Sequence, residues 1–252
     1  MISREYYLDY CKRFKKVWSF LKSKSYPEEK VIHEICELRG YDYCRMACTL
    51  KEVGFVLLKE DEDLSMLQSS RDDLGLINSD GQFRLFKRFI FPVRDMLGNI
   101  IALIGWYPDE KKYITTPSAM FSKQCLFFGL EQLSGTGTGK PYFLVEGIFD
   151  SISIRSVGFN SVAVMGINSS RYQQAMYSMF RRLIAIPDND EEGRDVYLRD
   201  KWKLPMGSNY VSWKNMPFKD IDDFVKNYDE EDVKELLLEM WKENSRIINI
   251  EL

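Results

Sequence analysis

Carboxylates recur in this chain immediately behind short apolar runs, in a pattern suited to holding cations. Tyr142-Phe143-Leu144-Val145 stops at Glu146-Gly147-Ile148-Phe149-Asp150. Leu183-Ile184-Ala185-Ile186 passes through Pro187 into Asp188-Asn189-Asp190, with Glu191 and Glu192 behind. Tyr210-Val211-Ser212-Trp213 precedes Lys219-Asp220-Ile221-Asp222-Asp223. Acidic groups brought within a few ångströms of one another raise each other's pKa and repel unless cations lie between them. Magnesium prefers oxygen ligands and keeps waters and substrate phosphates in its remaining positions, so it suits such a set. One acidic cluster alone is as well explained by a helix N-terminus, where the dipole favours negative charge. Three of them, each behind a strand-like run, point to one shared site.

The elements that would gather them follow from the pattern. A four-residue apolar run bounded by turn residues reads as a buried strand, and strands spaced by helix-length segments read as a parallel sheet. Ligands of such sheets bind beyond the carboxyl ends of the strands. The spacing predicts a helix over 150–157, a strand over 161–164, a turn at Gly166, a helix over 169–180, a helix over 191–202 and a last amphipathic helix over 231–243. The glycine-rich stretch at 134–140, SGTGTGK, has Pro141 where a phosphate-binding loop needs Ser or Thr and precedes a strand instead of following one. It reads as a linker.

Upstream, apolar residues at Tyr7, Leu8, Cys11, Phe14, Val17, Trp18 and Leu21 predict an amphipathic helix over 5–24 with a lysine-rich outer face. Pro27 opens a second helix, which Arg39-Gly40 closes. Residues 83–91 read as an aromatic strand, 94–99 as a turn and 100–104 as the returning strand. Acidic residues outnumber basic ones, 38 to 35, yet Arg84, Lys87, Arg88, Arg94, Lys111, Lys112 and Lys123 face only Asp95, Asp109 and Glu110 over the same stretch. A basic face accompanying an acidic metal site suits a polyanion. No apolar run approaches the roughly 18 residues of a membrane span. The first ten residues lack the apolar core of a secretory peptide, which makes a cytoplasmic location the expectation. Five cysteines show no disulfide framework. His33, Cys36, Cys44 and Cys48 have zinc-like spacing, but Val31, Ile32, Ile35, Cys36 and Leu38 share one helix face, where buried cysteines are ordinary.

The order of Glu146-Gly147 after one strand and Asp188-x-Asp190 after another resembles the Toprim domain of DnaG-type primases, topoisomerases and some nucleases. The run Arg88-Phe89-Ile90-Phe91-Pro92-Val93-Arg94-Asp95 with Gly98, then Lys112-Tyr113, Pro117, Phe121-Ser122-Lys123 and Phe128-Gly129-Leu130, is similar to the RNA polymerase domain of DnaG-type primases specifically. Thr115-Thr116 and Ile104-Gly105-Trp106 depart from that pattern, where an Asn-Ser pair and a glycine-rich turn ending in arginine are usual. The resemblance implies an α/β fold, with a mixed α+β amino-terminal subdomain over 1–133, a linker over 134–141, a Toprim domain with a mainly parallel sheet over 142–228 and a carboxy-terminal helix and tail over 229–252. It also implies template-directed synthesis of short RNA primers on single-stranded DNA by two-metal nucleotidyl transfer. Glu146, Asp188 and Asp190 would be catalytic, and the same three with Asp220 and Asp222 would hold Mg2+ or Mn2+. Asp150 would orient those ligands, while Arg84, Arg88, Lys112, Tyr113 and Lys123 would bind template and ribonucleoside triphosphate. The family's zinc module and helicase-binding domain have no counterpart in this sequence, so a helicase or a separate zinc-bearing initiation factor is the expected partner. A non-catalytic primase-like binding protein and a Toprim nuclease are the competing readings.

Overall fold

The computed structural model describes residues 3–59, 63–64, 67, 74–109, 112–116, 125–135, 141–166, 168–180, 182–213, 217–243 and 246–250. The chain divides into two compact units, Met1–Lys123 and Gln124–Leu252.

The first unit combines three helices with an antiparallel sheet. Helix α1 (Arg4–Lys24) begins where the Ser3 hydroxyl accepts the Tyr6 N–H at 3.1 Å, and its buried stripe is Tyr10, Cys11, Phe14, Val17, Trp18 and Leu21. Helix α2 (Glu28–Arg39) ends at Gly40, whose φ of 72° is the left-handed cap that favours glycine. Helix α3 (Tyr43–Val53) is capped by Asp42, which accepts the Arg45 N–H at 2.8 Å. Strands β1 (Val56–Leu57), β2 (Phe89–Arg94), β3 (Ile100–Tyr107) and β4 (Lys112–Thr115) lie in that order, each antiparallel to its neighbour. The Tyr10 hydroxyl donates to the Ile101 carbonyl at 2.9 Å, joining α1 to β3.

The β2–β3 hairpin forms where the sequence places it. In its turn, Asp95 accepts the N–H groups of Leu97 and Asn99, each at 2.8 Å, and Gly98 sits at φ 78°. The aromatic run before it differs from expectation, because regular strand starts only at Phe89. Residues 76–84 close a local turn instead, with Arg84 N–H to the Leu76 carbonyl and Asn78 N–H to the Gln82 carbonyl, both at 2.9 Å. Those backbone groups are satisfied before the sheet begins. In the cysteine region, the His33 ring stacks on Tyr43 at 4.1 Å, Cys36 is buried with its thiol pushed up to about 11 by that burial, and Cys44 and Cys48 are exposed.

The second unit is the parallel sheet. Strands β5 (Tyr142–Val145), β6 (Asn160–Ala163), β7 (Leu183–Ile186), β8 (Asn209–Trp213) and β9 (Ile247–Ile250) lie in the order β6-β5-β7-β8-β9, all parallel. Helices α4 (Ile148–Ser156), α5 (Arg171–Tyr177), α6 (Glu191–Leu198), α7 (Ile221–Asn227) and α8 (Glu230–Lys242) connect them. Every residue of β5, β7 and β8 is buried, and β5 and β7 accordingly read as unbroken apolar runs and not as alternations, while β8 also buries the polar Asn209 and Ser212. The chain leaves β5 for β6 on one side and returns to β7 on the other. This reversal opens a crevice at the carboxyl ends of β5 and β7. Among the described residues no helix is long and apolar enough to cross a membrane.

Two boundaries differ from the sequence reading. Residues 125–135 belong to the second unit, because Phe128 and Ala163 exchange backbone hydrogen bonds at 3.0 and 2.9 Å and a 3-10 helix, Leu130–Gly135, packs beside β6. The tail is part of the sheet: Tyr210, Val211, Ser212 and Trp213 face Ile247, Ile248, Asn249 and Ile250 in parallel register. Ile248 is 4% exposed, so Ile248→Ala should cost about 2–4 kcal/mol. A urea midpoint unchanged from the parent would show that β9 contributes nothing to the sheet's stability.

Candidate metal centre

The register that pairs Val145 with Ile186 places Glu146 and the Pro187-Asp188 turn side by side at the crevice. The Asp188 N–H donates to Glu146 Oε1 at 3.4 Å. Three helices start at this edge, and a carboxylate occupies the first turn or cap of each. Asp190 caps α6 by accepting the Gly193 N–H at 2.8 Å, and Asp220 caps α7 by accepting the Asp223 N–H at 2.8 Å. Asp150, in the first turn of α4, accepts the Gly147 N–H at 3.1 Å through Oδ2 and the Asp222 N–H at 3.3 Å through Oδ1. Helix N-termini carry partial positive charge, so each carboxylate is held by a donor that also favours its ionised form.

Burial works in the opposite direction. It pushes Glu146 up to about 7, with Asp190 and Glu192 adding repulsion against the hydrogen bond from Asp188 and the charge of Lys219. It pushes Asp188 up to about 8, helped by Glu146 and Asp220. Asp220 and Asp150 are raised for the same first reason, Asp150 well above the usual carboxylate range. Lys219 is the cation that opposes this at Glu146, Asp188 and Asp220 alike. It stands directly before the third acidic cluster, but its position gave sequence reasoning no role for it.

The carboxylates differ in what they leave open. The carboxylate of Asp188 and the second oxygens of Glu146, Asp190 and Asp220 have no hydrogen-bonding partner among the described residues. Asp222 lies with Asp220 and Asp223 in a group whose ligand atoms fall within 4.8 Å of one another. It is nevertheless 1% exposed, and both its oxygens are engaged, Oδ1 by the Ser153 hydroxyl at 2.5 Å and Oδ2 by Lys226 Nζ at 2.6 Å. Asp222 and Asp150 thus form a buried layer beneath the four open carboxylates. Hard oxygen donors gathered at one edge, with oxygens left open, fit a magnesium-like ion.

The loops carrying these groups are tied by contacts that the sequence does not announce. Asn189 N–H donates to the Lys219 carbonyl at 2.6 Å and its side-chain amide to the Phe218 carbonyl at 2.7 Å, while Trp213 Nε1 donates to the Pro187 carbonyl at 2.9 Å. Gly193 is also required: a Cβ there would lie 1.9 Å from the Asp188 carbonyl oxygen.

In the first unit, Arg84 is exposed and donates to the Ile77 carbonyl at 3.2 Å. Arg88 lies across β3, its guanidinium 5.2 Å from the centre of the Tyr107 ring, and its buried Nη1 has no partner among the described residues. Gly105 makes room for it, since a Cβ would sit 2.7 Å from Arg88 Cδ. Tyr113 is 39% exposed on β4, opposite Trp106. Lys112 precedes it in the strand; its side chain, and the whole of Lys123, lie outside the described residues.

Residues 143–225 match the Toprim-like family. The DNA primase of Pasteurella multocida is 29% identical over 164 residues, covering 59% of this chain and 28% of that protein. The chain spans under a third of the length of the curated relatives it matches first. Among solved structures, the RNA polymerase domain of Mycobacterium tuberculosis primase DnaG superposes with a TM-score of 0.71 at 21% identity, covering 94% of this chain and 84% of that one. A DnaG primase catalytic domain bound to ssDNA gives 0.66 at 23% identity, with coverage of 91% and 78%. The chain therefore carries a Toprim-like domain and has the fold of a DnaG catalytic core.

Two outcomes follow from this geometry. Glu146 and Asp188 hold protons in the folded, metal-free chain at pH values where the unfolded chain, with ordinary values of 4.5 and 3.8, has lost them. Stability of the metal-free protein should therefore fall as pH rises from about 5 to about 8, and Mg2+ should restore it at the upper end. A melting temperature that is flat across this window, with and without Mg2+, would refute the crowding. Gly193→Ala should lower the urea-derived stability by at least about 2 kcal/mol, since the α6 N-terminus has to move off Asp188; a neutral result would mean that the approach is not needed.

Proposed function

We propose that this homologue of the bacterial DNA primases, with its Toprim-like domain and DnaG catalytic-core fold, is a primase catalytic core that joins ribonucleotides on a single-stranded DNA template. The observation that carries the reading is the set of four carboxylates with open oxygens, Glu146, Asp188, Asp190 and Asp220, at the β5/β7 crevice. Divalent ions bound there would activate the attacking 3′ hydroxyl and stabilise the charge on the departing pyrophosphate.

The chain's own residues prepare that step. Asp150 and Asp222 tie the starts of α4 and α7, which holds the backbone that carries Glu146 and Asp220. Glu146, poised near 7, exchanges a proton readily at neutral pH and becomes a full ligand once a cation neutralises its neighbours. In the first unit, Arg88 would contribute positive charge toward phosphate, and Tyr113 an exposed ring toward a base. Arg84, Lys112 and Lys123 complete the basic complement read from the sequence. The template would be single-stranded DNA, the substrates ribonucleoside triphosphates and the ions Mg2+ or Mn2+. A helicase or a separate zinc-bearing factor would supply start-site recognition in the cytoplasm.

A Toprim nuclease fits less well, because the structural likeness runs through both units and the basic strand region has no task in cleavage. Primer extension, assayed apart from initiation on single-stranded template, is the test. Asp188→Asn and Asp220→Asn should each lower the extension rate more than about 100-fold while the chain stays folded. Parental rates in both would dispose of the assignment, and strand cleavage without extension by the parent would favour the nuclease.

A further inference from the structure

We infer that Asn189 is a positioning residue that sets the separation of the two acidic loops and thereby the affinity of the site for divalent cations. The inference rests on the reading of this edge as a metal centre. Asp188 and Asp190 flank Asn189 on the loop after β7, and Asp220 stands at the start of α7. Helix α6 and strand β8 lie between the two loops in sequence, and the described hydrogen bonds that join the loops directly run through one residue. The Asn189 backbone N–H donates to the Lys219 carbonyl at 2.6 Å, and its side-chain amide donates to the Phe218 carbonyl at 2.7 Å. Both acceptors lie immediately before Asp220, so residue 189 grips the stem from which the third carboxylate projects.

The chemistry of the side chain matters as much as its place. The partner is a carbonyl oxygen, and only a donor can meet it; an ionised Asp at 189 would offer two acceptors to an acceptor. It would also add a charge where Glu146, Asp188 and Asp220 already stand above their ordinary values. Asn is the neutral amide of the same shape. The backbone bond persists under any substitution except proline, so the side-chain bond is the removable half of the grip. With it gone, the charge of Lys219 and the one remaining backbone bond are left to oppose the mutual repulsion of Asp188 and Asp220, and the loops part more easily when no cation holds them together. Loss of such an outer tie typically costs a metal site about 10- to 100-fold in affinity.

The experiment is a titration of the full chain with Mn2+, followed by the paramagnetic resonance signal of the free ion, together with the melting temperature in the absence of metal. Asn189→Ala should bind Mn2+ about 10-fold more weakly or worse, with a metal-free melting temperature within a few degrees of the parent. Asn189→Gln, which keeps an amide donor, should recover part of the affinity. Ile248→Ala serves as the control: it destabilises the same sheet at its far edge and should bind Mn2+ like the parent. Parental affinity in Asn189→Ala overturns the proposal, and so does an equal loss in Ile248→Ala, which would trace the effect to general destabilisation. If Asn189→Ala fails to fold, the Gln and Asp substitutions carry the comparison, with Asp expected to bind more weakly than Gln and the reverse order overturning the proposal. A parental chain that takes up no Mn2+ overturns the metal reading itself, a result distinct from any difference among the variants.

Discussion

Repulsion among carboxylates at the ends of β5 and β7 is the constraint that the second unit is built to withstand. Burial raises Glu146, Asp188, Asp220 and Asp150, and the charges of Glu146, Asp188 and Asp220 each raise another member of the set. Against this the fold supplies five backbone N–H groups, from Gly147, Asp188, Gly193, Asp222 and Asp223, each aimed at a carboxylate of the site. They come from strand ends and helix starts, the places where backbone donors have no partner within their own element. A parallel sheet with helices following its strands delivers several such places to one edge, which explains why this architecture can host so much negative charge before any cation arrives.

The same constraint accounts for the two-layer arrangement of the acids. The lower layer, Asp150 and Asp222, is closed: Ser153 and Lys226 engage Asp222, and two backbone groups engage Asp150. The upper layer keeps oxygens open. An acid that holds the scaffold cannot also be free to coordinate, so the protein divides the tasks between layers, and the rigidity of the lower one limits the reorganisation needed when an ion binds.

Much of this was legible in the residues. Four-residue apolar runs identified β5 and β7 because strands buried on both faces have no polar positions to confuse the pattern, and the acids behind them identified the edge. What the sequence concealed was governed by backbone atoms. Asn189 and Trp213 donate to carbonyls, and Gly193 avoids one, and no side-chain pattern discloses where a carbonyl lies. Asp222 looked equivalent to Asp220 because both are acids of one short cluster; the distinction comes from Lys226, four residues on and on the same helical face as Asp222. The aromatic strand expected from residue 83 begins at Phe89 because a local turn captures the backbone first, a competition that β-propensity does not weigh.

The edges of the parallel sheet reveal a further point about what constitutes a folding unit. An open strand edge invites pairing with another chain. On the β6 side, residues 125–135 cover it: Phe128 pairs with Ala163, Gln132 donates to the Ser161 carbonyl at 2.6 Å and accepts the Ser161 N–H at 3.2 Å, and Gly129, at φ 91°, admits an approach that would put a Cβ 2.6 Å from that carbonyl. On the other side β9 pairs with β8, and Arg182 draws the end of α8 inward through the Trp241 and Glu243 carbonyls. Both covering segments lie outside the 143–225 stretch that matches the Toprim-like family. Composition marked 134–140 as a linker, but glycine content reports how freely a segment bends and not which body its neighbours pack against. The stretch that carries the acidic edge is therefore shorter than the unit it packs in, and that unit draws on residues on both sides of it.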